Sequence, residues 1–318
     1  VSSTSLSSNA VGILAGLGTA VLWTTTAVCF EVAAKRLGTL TVNVLRLALA
    51  LVLFAALSFV RFGRLWPAGL TTSAWSYLAL SGLIGFVIGD VLLFRAFVLI
   101  GARLSMLIYA SVPFMTAIAG FVFLDERMSG RAVAGMAVTV TGIALAVGGK
   151  RSAKQGTMTD ANAKHTLGVL LAFGGAVGQA AGLLLGKHGS HDVDSFSATQ
   201  VRVCFGLAGF VLLALVAGQT REVWGTLKQA ARGDAPGSRA LRGGLLVLAV
   251  GAVFGPFLGV SLGLLSAQLL PTGTASTLMS TVPVLLIPVS VLLFREAVSW
   301  SEIAGALLAV AGVAVLAG

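Results

Sequence analysis

The apolar positions of this chain run in long unbroken blocks separated by short polar links. Ten stretches read as membrane-crossing helices, at about 10–30, 40–60, 73–94, 103–123, 131–148, 166–187, 195–217, 243–264, 272–294 and 300–317. Each is close to the roughly 20 apolar residues that traverse about 30 Å of hydrocarbon. Outer-membrane strands would alternate apolar and polar residues over segments of about ten, and residues 47–60 and 303–317 do not alternate. The pattern therefore predicts an all-α polytopic membrane protein. Residues 149–165 read as a polar linker, and 218–242 as a polar loop whose 226–232 part suits a short interfacial helix.

Composition agrees with the pattern. Of 318 residues, 57% are hydrophobic and 10% charged, where a soluble domain carries about 25% charged residues. Disorder is excluded, since low hydrophobicity is its signature. The formal charge of +10 sits in links between apolar helices, not in a cluster on a folded surface, so no nucleic-acid partner is expected. Membrane orientation accounts for it: five Lys and Arg fall on the N-terminal side, fourteen on the other, and Arg46 and Arg202 lie inside helices. The positive-inside rule then turns both termini away from the cytoplasm.

An internal repeat organises the chain. Gly12 and Arg46 map onto Gly168 and Arg202 at an offset of 156. Gly85, Gly89, Pro113, Glu126, Gly135, Gly142 and Gly148 map onto Gly255, Gly259, Pro283, Glu296, Gly305, Gly312 and Gly318 at an offset of 170. Five helices per half force the second half to enter the membrane from the opposite face, so the repeats are inverted. Such repeats place a substrate site near the midplane and give alternating access by rocking one bundle against another. Two complete repeats in one chain make an obligatory dimer unnecessary, and a functional monomer is expected.

Charges inside the membrane are costly and mark function. Arg46 and Arg202, at equivalent places, either snorkel to the headgroups or act as charge anchors or gates. Asp90 lies deep in the third span, with Val260 at its equivalent position; it pairs with Arg46 or Arg95, or binds an amino group or a proton. Trp23, Thr24, Tyr109, Ser111, Gln179, Gln268 and Ser280 are polar or aromatic cavity candidates by depth, and Phe257 is a candidate wall for an apolar group. Glu126 and Glu296 oppose the dipole of the helices they close, so a structural contact with the next helix's N-terminus is expected of them. Pro113 and Pro283 stand mid-span, with Pro256 and Pro288 as further interruptions; they either shape the helices or form cavity-lining hinges. Gly174, Gly178, Gly182 and Gly186, and likewise Gly251, Gly255, Gly259 and Gly263, make smooth stripes for close packing or for sliding.

The chain lacks a His-Glu-x-x-His helix and a phosphate loop, so no metal site, no cofactor and no ATP-driven pumping are expected. A catalytic cluster is not visible either, and the chain is not expected to be an enzyme.

Taken together these features resemble the drug/metabolite transporter superfamily, in its ten-helix branch built from two EamA-type repeats. The carrying residues are Asn43-Val44-Leu45-Arg46 and Thr199-Gln200-Val201-Arg202. Beside them stands the block 89–148, with Ser105, Pro113, Leu124-Asp125-Glu126-Arg127 and Thr141-Gly142-Ile143. Its second copy, 259–318, contains Pro283 and Phe294-Arg295-Glu296. The resemblance implies a first repeat at 10–148, a linker at 149–165 and a second repeat at 166–318, folded as a basket-like bundle. It also implies a secondary transporter in a bacterial inner membrane, exporting amino acids or related metabolites. Aromatic amino-acid exporters are resembled more loosely: their cavity helices are tryptophan-rich, whereas this chain places Gln179 and Gly255-Pro256-Phe257 in comparable stretches. The expected cargo is a neutral, aromatic or hydrophobic amino acid, its apolar part against Trp23, Tyr109 and Phe257 and its charged ends at Asp90 and Arg46 or Arg202. Cationic drugs or quaternary amines are the rival cargo, with Asp90 as counter-charge. A membrane-embedded lipid-handling protein or enzyme is the rival of another class.

Overall fold

The computed structural model describes residues 7–148, 159–231, 238–294 and 299–317, which are almost entirely helical, with no strand among them. The first half begins with α1 (Ser8–Leu37) and α2 (Thr39–Phe62). Ser7 caps α1 by accepting from the Ala10 amide at 3.3 Å. Gly38, with φ 82°, separates the two helices in a conformation that a side chain would resist. The third span joins α3 (Thr72–Gly82), a π-helical segment Leu83–Asp90 and the first part of α4 (Val91–Tyr109). Gly101, with φ 80°, turns α4 back into the fourth span, which continues in α5 (Val112–Phe123); α6 (Gly130–Gly148) closes the half.

The second half repeats the plan. It contains α7 (Thr159–Gly189), α8 (Ser195–Val216), the amphipathic α9 (Thr220–Ala231) and α10 (Ser238–Ala252). A second π-helical segment, Val253–Gly259, leads into α11 (Val260–Leu269), followed by α12 (Thr272–Met279), α13 (Val282–Phe294) and α14 (Trp300–Ala317). Seven stretches are long and apolar enough to cross a membrane by themselves, and shorter apolar helices lie at Val112–Phe123 and Ile303–Gly312. The fold is thus a membrane bundle of two five-span halves, as the hydrophobic pattern predicts.

Two expectations are refined. The fourth and ninth spans are not continuous helices: each stops and restarts, at Tyr109–Val112 and at Met279–Val282. Pro113 therefore sits in the first turn of α5, and Pro283 is the second residue of α13. There a missing N–H costs nothing, so neither proline kinks a helix from within. Pro256 does lie inside its helix, within the π-helical segment, and Pro288 lies inside α13. The polar loop carries its helix over α9, longer than the 226–232 expected.

The glycine stripe on α7 is a backbone-to-backbone contact. A Cβ on Gly178 would stand 2.7 Å from Gly89 Cα, and one on Gly182 2.7 Å from Gly85 Cα. The α7 helix therefore lies directly on the first π-helical segment. The equivalent face of α1 meets Gly251, Gly255 and Gly259 with side chains instead: Phe30, Thr26 and Trp23. The two half-to-half contacts share a topology but not a surface.

Candidate functional site

The π-helical segment Leu83–Asp90 ends on Asp90 and brings it opposite Arg46, one-third of the way along α2. Single-turn π geometry recurs at functional sites because the extra residue redirects a side chain. An Arg46 Nη2 hydrogen bond and ion pair fall on Asp90 Oδ2. Arg46 Nε also donates to Asn43 Oδ1 at 3.0 Å, and Asn43 Nδ2 to the Thr39 carbonyl at 2.9 Å. The guanidinium lies 4.7 Å from the Phe94 ring centroid, 5.2 Å from Phe30 and 5.9 Å from Phe86. The Arg46 side chain is 4% exposed and that of Asp90 14%. Snorkelling is thereby excluded: the arginine is held inward by a carboxylate, an amide and three rings.

This pair borders a cavity of about 70 Å³ between the halves. Trp23, Phe30, Asp90 and Tyr109 line it from the first half, Gln179 and Pro256 from the second. A smaller cavity of about 10 Å³ adjoins it through Trp23, Met106, Tyr109 and Gln179, and reaches Ser280 and Pro283. A larger groove of about 630 Å³, between Met115, Ala119, Val177 and Leu184, is almost wholly apolar and opens outward. Phe123 and Val177 on it are 77% and 47% exposed, which suits lipid better than a polar solute.

The structure thus brings Trp23, Asp90, Tyr109, Gln179 and Arg46 together, with Ser280 in the adjoining space. Other expected residues go elsewhere. Phe257 does not line the cavity: its ring packs on Phe54 at 4.9 Å and on Phe196 at 6.1 Å. Thr24 points off the cavity face and spends its hydroxyl on the Ala20 carbonyl at 2.7 Å, while Thr26 takes the lining position. Gln268 Nε2 donates to the Ser190 and Val193 carbonyls, both at 2.9 Å, and so ties down the turn after α7. Ser111 is half-buried, its Oγ enclosed and without a hydrogen-bond partner at the α4–α5 break. Arg202 is buried against Phe86, its guanidinium 5.5 Å from the ring centroid.

Glu126 meets a helix N-terminus, but not that of the next helix. It accepts from the amide and hydroxyl of Thr272, both at 2.6 Å, and pairs with Lys187 Nζ at 2.7 Å. Lys187 also donates to the Leu270 carbonyl at 2.7 Å. A first-half carboxylate therefore caps α12 of the second half, where the free amides of the first turn favour an anion. At the equivalent turn of the first half, the Ala102 amide donates to Glu31 Oε2 at 3.2 Å. Glu296 lies outside the described residues.

Depth alone missed the aromatic wall of Phe30, Phe86, Phe94 and Phe97. The signal was present: Phe86, Asp90, Phe94 and Phe97 follow one another at spacings of four, four and three, one helical face carried by a charge. Among the described residues, no three His, Cys, Asp or Glu side chains group to hold a metal.

Comparison with known proteins places the fold. A solved crystal structure, described only as that of a protein, is similar over 96% of this chain and 95% of its own, with a TM-score of 0.66 and 19% identity; this likeness concerns the fold alone. No curated protein matches significantly. The family model of the EamA-like transporters matches twice, over residues 10–148 and 166–318. These matches fall on the two halves that the offsets of 156 and 170 relate, and the chain belongs to the EamA-like transporter family.

Proposed function

We propose that the chain is a secondary exporter of neutral amino acids, aromatic or hydrophobic ones first, working as a monomer in a bacterial inner membrane by alternating access. The observation that carries this reading is the Arg46–Asp90 pair facing an aromatic-walled cavity built by both halves. Such a site offers an ammonium group a carboxylate, and offers an apolar side chain the faces of Trp23, Phe30 and Tyr109. A cavity of about 70 Å³ holds a few water molecules, since one needs roughly 10–15 Å³. Ligand pockets run to about 300 Å³ and more, so cargo enters only when the halves part, which is what rocking supplies. On the side of Glu126, Lys187 and Thr272 the halves are tied by polar contacts that such motion has to break.

The rival cargo, a cationic drug or quaternary amine, would likewise depend on Asp90 as its counter-charge. Counterflow in proteoliposomes tests the reading: the lumen is loaded with one amino acid at a time and uptake of labelled phenylalanine is followed. Accumulation driven by aromatic and large aliphatic amino acids, and lost in Asp90→Asn and Trp23→Ala, is expected. Accumulation driven by cations but by no amino acid would replace this cargo with the rival one.

A further inference from the structure

Arg202 is a buried cation without the partners that hold Arg46. By the repeat offsets, four positions around Arg46 have sequence counterparts in the second half: Asn43 maps onto Thr199, Phe30 onto Gly186, Asp90 onto Val260 and Phe94 onto Leu264. Thr199 spends its hydroxyl on the Ser195 carbonyl at 2.7 Å, and the other three carry no polar group. Arg202 is nonetheless 3% exposed, its Nε has no hydrogen-bond partner, and among the described residues it forms no ion pair. Its guanidinium faces the Phe86 ring, which also lies 5.9 Å from Arg46 and lines the cavity, so the ring stands between Arg202 and that space.

The niche is shaped around the guanidinium. A Cβ on Gly186 would stand 3.3 Å from both Cζ and Nε of Arg202, and one on Gly85 3.8 Å from an Nη. Asp90 interacts electrostatically with both arginines but bonds to only one. Two guanidiniums against one carboxylate leave this core with one positive charge in excess. A buried cation without a counter-ion is costly, and a planar guanidinium matches a carboxylate bidentately.

We propose that Arg202 is the carboxylate-binding subsite of the transport cavity, separate from the Arg46–Asp90 pair and reached when the Phe86 ring swings aside. This rests on the transport reading above and extends its cargo from amino acids to monocarboxylates of the same side chain. A zwitterion leaves the excess charge in place, whereas a monocarboxylate without an ammonium group cancels it. Aromatic monocarboxylates therefore bind more tightly than the amino acids of the same side chain, and the corresponding amines bind worst.

The test is equilibrium binding of 3-phenylpropionate, phenylalanine and phenylethylamine to the full chain in nanodiscs, by titration calorimetry. Binding of phenylpropionate should weaken at least about tenfold in Arg202→Gln, the loss of a charged hydrogen-bonded contact, and recover only in part in Arg202→Lys, whose ammonium keeps the charge without the planar fork. Arg202→Lys, which keeps a cation in the niche, serves if the glutamine variant does not fold. Unchanged binding in Arg202→Gln or Arg202→Lys would overturn the proposal, as would phenylethylamine binding better than phenylpropionate. Chloride, titrated against a background of sulfate, separates the carboxylate from an inorganic ion: heat with chloride alone would also overturn it. Phenylpropionate binding without counterflow of any solute would count against transport and leave the subsite standing. Counterflow without carboxylate binding would do the reverse.

Discussion

Gly182→Ala probes the contact on which the two halves meet. The added Cβ would stand 2.7 Å from Gly85 Cα, 3.2 Å from Gly85 N and 3.3 Å from the Ser81 carbonyl oxygen. All three are backbone atoms, so no flexible side chain can yield and α7 has to lift from the first π-helical segment. Lifting also opens the neighbouring approach of Gly178 to Gly89. Overpacking of this kind costs about 1–3 kcal/mol, and backbone obstacles put this site at the upper end. Alanine regains about 1 kcal/mol of helix propensity over glycine, which leaves a net loss of about 2 kcal/mol. For a chain of this size that is a fall in Tm of about 4 °C. Gly225→Ala on α9 is the control, because its Cβ would meet nothing within 4 Å; it should be neutral or slightly stabilising. Apparent Tm in one detergent, followed by loss of the monodisperse peak, reads both. A Gly182→Ala variant as stable as Gly225→Ala would refute the argument that this interface is backbone on backbone.

Three further outcomes follow from the site. Arg46→Met or Asp90→Leu alone should cost about 3–5 kcal/mol by stranding a buried charge, whereas the double variant should recover most of that loss; a double-mutant cycle on Tm measures it. Glu126→Ala should cost about 1.5–3 kcal/mol, the value of hydrogen bonds to a charged group, and Lys187→Met in the same background should add little, since both act on the α12 cap. Phe257→Ala should destabilise by about 3–5 kcal/mol through its lost contacts with Phe54 and Phe196, while leaving phenylalanine affinity unchanged in the folded fraction; a matching loss of affinity would return Phe257 to the cavity.

Much of the architecture was legible because membrane burial writes itself into composition. The ten apolar stretches, the two halves and the polar loop with its helix all follow from hydrophobicity and two offsets. The halts at Tyr109–Val112 and Met279–Val282 were not, since a proline reads alike as a mid-helix kink and as the first turn of a new helix. The π-helical segments leave no mark in sequence because they use the same apolar residues as their neighbours. For the site, depth was readable and facing was not. Trp23 and Thr24 are adjacent at one depth, yet only Trp23 lines the cavity. Phe257 follows Pro256 onto the other side of its helix, against Phe54. Asp90 was recognisable by its charge alone, and its partner Arg46 stood among the alternatives from the start. Glu126 was readable as a cap but not as one reaching across the halves, since sequence spacing says nothing of which N-terminus a turn approaches.

The central claim is that cargo binds between the halves beside Asp90. A cryo-electron microscopy map of the protein in nanodiscs with saturating phenylalanine tests it most directly. The account predicts density enclosed by Trp23, Asp90, Tyr109 and Gln179, in a cavity widened beyond its present 70 Å³. Density only in the outer groove between Met115 and Leu184, with the Arg46–Asp90 cavity unchanged, would contradict it.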